Sequence, residues 1–554
     1  MAFFRKILVL LLFVLLTFKS TYSENTNSSQ AFDYASEYLV KINSKFVSDN
    51  LLVNADYFEI AENDETLAFV FQLKPQGFIV ISAFSTNSPV IGFSLFDNLP
   101  ENENLQQLPA YSIIKGIALG QKYAGHKVTH QESQNGPMDY DIWGPWVYTL
   151  WGQVNCHNNS GQLINVTNYY TPNNYAPGCV AISLSTLLHY YQWPPTGVGY
   201  HEYYDGYGSS TGWYEANFGE TDYKWDLMLE KYNNQASTNE QREAAGELAF
   251  HAAVALEMDF EYNGSTSNVN EIPGTGYDYF RFYSFYKQES STVFWPRLDK
   301  NIVEANPVIL SVSTNSGFGH SVVCDGLWLT DDEERFYHLN MGWWGTGNGW
   351  FQIQEDFNAG GYTTINGGVL DFIPKPMLLD AEILAGANMF HLNWQFTQTI
   401  VADAYQVQRK INNGPWEIIA DDYQDTSLLI IVDDLSDDHY FRVKAKVNDE
   451  WYPSSWSNIS QLQIVTGIEE LRNADLVKIS PNPFSDCLII LSSEKYGSDI
   501  SVRVYDMTGR LFYMLDEKQF LDKISIPAQL WRKGVYMIEV TSSGSHQVLK
   551  AIKK

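Results

Sequence analysis

The sequence predicts a large central α+β domain, preceded by a smaller α+β domain and followed by two all-β domains, and three observations carry this reading. The 554 residues exceed one ordinary hydrophobic core, which stops growing at roughly 250–300 residues. Trp, Tyr, Gly and His concentrate between about 136 and 374, around the strongly helical stretch APGCVAISLSTLLHYYQWPP, Ala176 to Pro195. Beyond about 375 the pattern turns to apolar and polar residues in alternation, the period of half-buried strands.

In chain order, residues 1–23 read as a secretory signal. Arg5 and Lys6 make a basic start, Ile7 to Phe18 an apolar run too short to span a bilayer, and Ser23 a small residue for cleavage. Residues 24–135 hold β-rich runs broken by Pro75, Gly77, Pro89 and Gly92, the pattern of a small sheet with helical flanks. Residues 136–374 contain nearly all the chemically capable side chains. Residues 375–465 alternate through "MFHLNW", "AYQVQRKI" and "YFRVKAKV", with an Asn413-Gly414 hairpin signal. Residues 470–554 form a second all-β pattern with a turn at Thr508-Gly509.

The charge balance narrows the partners. Thirty-five Lys and Arg stand against 65 Asp and Glu, a net charge of −30. That balance repels phosphate backbones and anionic lipid, so nucleic acid is not expected as a partner. No run after the signal is long and apolar enough for a transmembrane span. The four cysteines, Cys156, Cys179, Cys324 and Cys487, form neither a disulfide framework nor a metal-ligand spacing. No cofactor is expected.

Within Ala176–Pro195, Val180, Leu184, Leu187, Leu188 and Tyr191 recur on one helical face, and Pro194-Pro195 ends the run. Cys179 then occupies the first turn, where free N–H groups and the helix dipole favour a thiolate, the reactive form. The same residue also suits a packed core thiol. A thiolate nucleophile needs an acid–base partner. His320 is the candidate, because Gly317 and Gly319 open the backbone around it and a strand follows. His189, His251 and His338 sit within apolar patterns and read as structural, and Cys324 as a core thiol. Gln153 can supply an amide N–H to a developing oxyanion, with the backbone N–H of Cys179 as companion. The "FYHLNMGWWGTGNGWF" strand and loop, Phe336 to Phe351, can wall a cleft and orient the imidazole through Asn340; an aromatic core hairpin is the alternative.

These segments together resemble the streptopain family of papain-like cysteine peptidases. The matching motifs are "WGQ" ending at Gln153, "GCVA" from Gly178 with "YYQWP" after it, "YKWDLM" at Tyr223 to Met228, Gly319-His320 followed by "CDG", and "FYHLNMGWWG". The resemblance implies a papain-like fold for 136–374, with Cys179 as nucleophile, His320 as general base and acid, Gln153 as oxyanion donor and Asn340 as orienter of the histidine. The loop departs from the family's H-x-N-W-G-W-G-G: Met341 replaces the first Trp, Trp343 matches the second, and Trp344 replaces the first of the two closing Gly. These three residues are candidates for the pocket, which the substitutions reshape.

By the same resemblance, residues 24–135 are an inhibitory propeptide ending shortly before "DIWGPWVYTLWGQ". Residues 375–465 resemble a fibronectin type III module. "ISPNPFSD", "VYDMTGR" and "GVYMIEV" resemble the type IX secretion sorting signal, which implies export from a Gram-negative cell and release or surface attachment. The expected partners are protein or peptide substrates, the chain's own propeptide and the secretion machinery. The expected function is a secreted cysteine endopeptidase made as a zymogen. An adhesin with a degenerate peptidase fold, and an amidase or transpeptidase using the same Cys-His pair, are the alternatives.

Overall fold

The computed structural model describes residues 26–46, 51–84, 89–100, 108–124, 141–313, 319–330, 334–354, 365–384 and 388–465, and shorter pieces between 477 and 554. The signal at 1–23, the propeptide boundary before Asp141, Gly317, Thr508 and most of "ISPNPFSD" lie outside the described residues. The chain forms two compact units. One runs to Met377 and includes Phe396–Asp403 and Lys444–Ser457; the other comprises Leu378–Gln395, Ala404–Val443 and Asn458–Lys554.

In the first unit, helix α1 (Ser28–Phe46) opens with a reciprocal cap. Asn27 N donates to Gln30 Oε1 and Gln30 N to Asn27 Oδ1, each at 3.0 Å, so two otherwise orphaned N–H groups are satisfied. A meander follows: β1 (Leu52–Glu62), β2 (Glu65–Lys74), β3 (Phe78–Ser82) and β4 (Val90–Ser94). Its residues alternate between two cores. Ala68, Val70, Phe78 and Val80 enter one hydrophobic cluster, and Phe69, Phe71, Ile79 and Ile81 enter another with α1 on the opposite face. Helix α2 (Pro109–Ala124) covers the first face with Ala110, Ile113, Ile114 and Ile117. The helical flanks expected for this region are observed, but its strands are not a sheet of their own: they extend the sheet of the region that follows.

Next come β5 (Asp141–Trp143), helix α3 (Cys179–Tyr191), a hairpin of β6 (His201–Asp205) and β7 (Gly212–Ala216), and helix α4 (Asn239–Ala255). Then follow β8 (Phe282–Gln288), helix α5 (Phe294–Val303), β9 (Val308–Ser313), β10 (Gly319–Leu329), β11 (Arg335–Asn340), β12 (Gly349–Phe351) and β13 (Ile365–Pro374). The strands join the N-terminal meander in one 11-stranded sheet, ordered β1-β2-β3-β4-β12-β11-β10-β9-β13-β8, with β5 on β10. The seam is the antiparallel pair β4–β12, with Phe93 opposite Trp350 and Gly92 opposite Phe351. Contact there is close on both sides. A Cβ on Gly92 would lie 2.5 Å from Phe351 Cδ1, and one on Gly349 2.6 Å from Phe93 O.

The second unit is all strand among its described residues. β14 (Met389–Gln395) pairs with β17 (Ser427–Ile431), and β15 (Ala404–Ile411) forms a hairpin with β16 (Glu417–Tyr423). The Asn413-Gly414 signal lies in that hairpin, where Gly414 N donates to Ile411 O at 2.9 Å. Further on, β18 (Cys487–Ser492) pairs with β21 (Lys523–Pro527). β19 (Ile500–Asp506), β20 (Leu511–Glu517), β22 (Gly534–Ser542) and β23 (Ser545–Lys553) form a four-stranded sheet ordered β20-β19-β22-β23. Leu488, Ile490, Val502, Val504, Ile526, Ile538 and Val540 fill one core between these two sheets. The α+β class with all-β C-terminal sheets is therefore observed.

Candidate active site

Helix α3 begins at Cys179 itself. Gly178 caps it at φ +89°, a left-handed setting that disfavours a side chain, and a Cβ there would also lie 2.6 Å from Met258 Sδ. The helix is pinned by its apolar face. Val180, Leu184, Leu187, Leu188 and Tyr191 are all buried in one cluster with α4 residues such as Leu248 and Ala252. Gln192, in the left-handed region, closes the end by donating to His189 O and Leu188 O. Cys179 is thus held at the positive end of an anchored helix and remains partly exposed.

Strand β10 brings His320 to it. Val312 of β9 lies opposite His320, and Val308 opposite Cys324, which fixes the register of the imidazole. Burial pushes the Cys179 thiol up, but the charge of His320, its hydrogen bond, and the backbone N–H groups of Ser321 and Val180 outweigh this and hold the thiol below its ordinary value. The imidazole moves the opposite way. Burial pushes His320 down, while the Cys179 thiolate, the hydrogen bond between them and the Met341 carbonyl raise it above its ordinary value. Each group is a better ion because the other is present. The helix and strand are tied directly by Ser321 Oγ donating to Ser183 Oγ at 2.9 Å, a buried contact spanning 138 positions.

The loop after β11 provides the next layer. His320 Nε2 lies 3.4 Å from the Met341 carbonyl oxygen. Asn340 is not brought into hydrogen bond with the imidazole. Its amide donates to Thr149 O at 2.7 Å, and its Oδ1 accepts from Gly342 N at 3.1 Å. Asn348 Oδ1 accepts from Met341 N at 2.8 Å. The backbone that faces the histidine is therefore clamped on both sides. The Met341 side chain points away from solvent into the core shared with Leu99, Leu108, Ala110 and Ile113 of the N-terminal region. Trp343 packs against that core. Trp344, at φ +57°, covers Gly152 and donates its indole N–H to Val154 O at 3.0 Å.

Gln153 follows directly, on a segment bridged to the loop through Gly152 and Trp343. It is buried, and among the described residues its amide makes no hydrogen bond. Thr167 Oγ1 fixes the neighbouring Gly152 carbonyl at 2.5 Å. Sequence reasoning missed Ser183, Ser321, Asn348 and the Met341 carbonyl, since none has a local signal: each acts through a partner distant in sequence or through its backbone.

The remaining titratable groups lie elsewhere. His189 is buried between Thr149 Oγ1 at 2.7 Å and Met228 O at 3.3 Å, and burial pushes it down to about 4. His251 meets the Tyr223 hydroxyl at 3.1 Å and is likewise pushed by burial to about 4. His338 pairs with Asp325 at 2.6 Å. Cys324 is fully buried, which drives its thiol well above the ordinary value. All four cysteines are free. Among the described residues no group of His, Cys, Asp and Glu could hold a metal ion.

A thiol acidified at a helix start, facing an imidazole that gains basicity from it, defines a thiol-dependent hydrolase, and the chain is a cysteine peptidase. Residues 151–351 match the Peptidase C10 family model, so this region is streptopain-like. Residues 23–112 match the Spi protease inhibitor model and residues 478–554 the secretion system C-terminal sorting domain. Streptopain of Streptococcus pyogenes is 23% identical over 312 residues, covering 51% of this chain and 73% of streptopain. The thiol protease/hemagglutinin PrtT of Porphyromonas gingivalis is 23% identical over 344 residues, 59% of this chain but 38% of that protein. A prointerpain A fragment of Prevotella intermedia superimposes with a TM-score of 0.44 at 21% identity, covering 58% of this chain and 99% of the fragment. The sorting domain marks the chain for secretion or cell-surface attachment. Among the described residues no helix is long and apolar enough to cross a membrane.

Proposed function

We propose that the chain is an endopeptidase exported as a zymogen, cutting proteins through a thioester acyl-enzyme. The observation that carries this reading is the hydrogen bond between Cys179, at the start of α3, and His320 on β10, in which each group favours the charged form of the other. The Cys179 thiolate attacks the scissile carbonyl carbon; the oxyanion receives hydrogen bonds from the Gln153 amide and the Cys179 backbone N–H. His320 hands its proton to the departing amine, then takes one from the water that releases the acid. The Met341 carbonyl orients the imidazole, and Asn340 acts as a positioning residue by holding Gly342 and Thr149.

In this reading residues 1–23 are the signal and 24–135 the inhibitory propeptide. Residues 136–374 are the catalytic domain, 375–465 a fibronectin type III-like module, and 470–554 the sorting domain read by type IX machinery. The strand seam and the core shared by α2 and the Met341 loop support a propeptide that holds the catalytic loop from below. The test is a matured sample challenged with an irreversible thiol reagent and a peptide substrate. Labelling is expected at Cys179 ahead of Cys156, Cys324 and Cys487, with turnover lost in step and absent in Cys179→Ala. Equal sluggish labelling at all four cysteines would exclude the enzyme and leave a binding protein.

A further inference from the structure

The β6–β7 hairpin carries a feature that peptide hydrolysis at Cys179 does not use. Its register sets Glu202 opposite Glu215 and Tyr204 opposite Trp213, so these four residues share one face. The other face is committed to the core: Tyr203 donates to Met258 O at 2.5 Å, and Tyr214 packs on Phe260 with centroids 5.0 Å apart. The outward face is open. Tyr204 is 57% and Trp213 69% exposed, with ring centroids 5.4 Å apart, and both glutamates are exposed.

Like charges directly opposite on a strand pair destabilise it. Here the repulsion is met by one phenol, Tyr200, whose hydroxyl lies 2.8 Å from Glu202 Oε2 and 2.6 Å from Glu215 Oε2. A phenol has one hydrogen to give, so it cannot satisfy both carboxylates at once. The face is left with net negative charge beside two exposed π-surfaces, a combination suited to an ammonium or guanidinium. The wider field has the same sign. Residues 151–280 contain fifteen Asp and Glu against three Lys and Arg, and none of the three cations precedes Lys224.

We propose that this hairpin face is an exosite that docks a lysine- or arginine-bearing segment of the polypeptide substrate, away from the scissile bond. The inference rests on the endopeptidase reading above, and it names a substrate class for that site. The hairpin is close enough to matter: Tyr203 bonds Met258, whose sulfur packs against Gly178, the residue before the nucleophile. A basic stretch held there raises the local concentration of its own chain at Cys179. It also speeds encounter at low salt.

The test separates binding from turnover. The full chain carrying Cys179→Ala is titrated with a fluorescent lysine- and arginine-rich peptide and with its glutamine counterpart. Only the basic peptide is expected to bind, Glu202→Gln/Glu215→Gln and Trp213→Ala are each expected to weaken it about tenfold, and the difference should shrink between ~0.05 M and ~0.5 M salt. In the matured wild-type enzyme, a substrate with a basic flank should show higher kcat/KM than one with a glutamine flank around the same cleavage sequence. The double glutamine variant should erase that advantage and leave turnover of a short neutral peptide unchanged. Equal affinity in wild type and variants overturns the proposal, as does salt-insensitive binding of a neutral oligosaccharide to Trp213 or self-association that buries it. Loss of all turnover with basic-peptide binding intact would strike the peptidase reading instead.

Discussion

Cys179 is acidic because of what surrounds it, and that makes its neighbours testable one at a time. In His320→Ala the opposing charge and its hydrogen bond are gone and burial is opposed only by the backbone N–H groups of Ser321 and Val180, so the thiol should titrate higher than in the intact pair. Thiolate absorbance against pH reads the shift, and alkylation at pH 7 should slow about a hundredfold. In the intact pair the thiolate is lost as pH falls through the lowered Cys179 value, and the imidazolium as pH rises through the raised His320 value, so kcat/KM should be bell-shaped, its two limbs belonging to the coupled pair. Asn340→Ala breaks two hydrogen bonds of a buried amide, a loss of about 1–3 kcal/mol in stability. If Asn340 positions the Met341 carbonyl, kcat should fall with KM nearly unchanged; a change confined to thermal stability would make it structural only. Cys179 and His320 were legible in the sequence because a helix start and a glycine-flanked strand announce themselves locally. The partner of the imidazole was not: the acceptor is a backbone carbonyl, and no side-chain motif encodes which peptide group a loop will turn inward.

At the scale of elements, the period of each segment was readable and its pairing was not. The short apolar runs of β2 and β3, punctuated by Pro75, Gly77 and Pro89, and the apolar stripe of α3 predict strand and helix from nearest neighbours. Nothing in "GFIVIS" or "GNGWF" says that the N-terminal meander and the catalytic strands form one sheet, since register is set by packing between residues some 250 positions apart. The seam yields a direct prediction. Gly92→Val places methyl groups where Phe351 stands, so the uncut chain should lose latency and hydrolyse a short peptide at rates approaching the matured enzyme. Unchanged latency would remove the seam from the inhibitory contact. Beside it, burial raises Asp97 to about 6 against an ordinary 3.8, partly offset by His338 and Lys231. A group raised in the docked state favours docking when protonated, so the contact is firmest below about 4 and weakens as pH rises through about 6. The activity of the uncut chain relative to the matured enzyme should rise over that range and stay flat in Asp97→Asn.

Over the whole molecule, shifts in composition and pattern divide the sequence into successive modules, whereas the chain gathers into two compact units, the first of which takes in both the N-terminal meander and the strands around Cys179 and His320. What decided the function was the ordered set of motifs, more than any charge or periodicity. The sorting domain at 478–554 predicts a separable loss. A chain cut after residue 465 should retain thiol reactivity at Cys179 and peptide turnover after maturation but fail to leave the cell, as activity assays on periplasmic and medium fractions would show. Loss of turnover in that chain would mean that the C-terminal sheets contribute to the catalytic fold.

The glycine-lined seam between β4 and β12 also bears on inheritance. Gly92 and Gly349 each occupy a spot where any side chain would strike the other partner's backbone or ring. A change on one side is then tolerated only after a change on the other, so the two regions must diverge in step. An inhibitor domain borrowed from a distant relative, carrying alanine or valine opposite Phe351, should bind this enzyme poorly even if its own fold is sound, and each lineage of such peptidases should be silenced best by the propeptide it was made with.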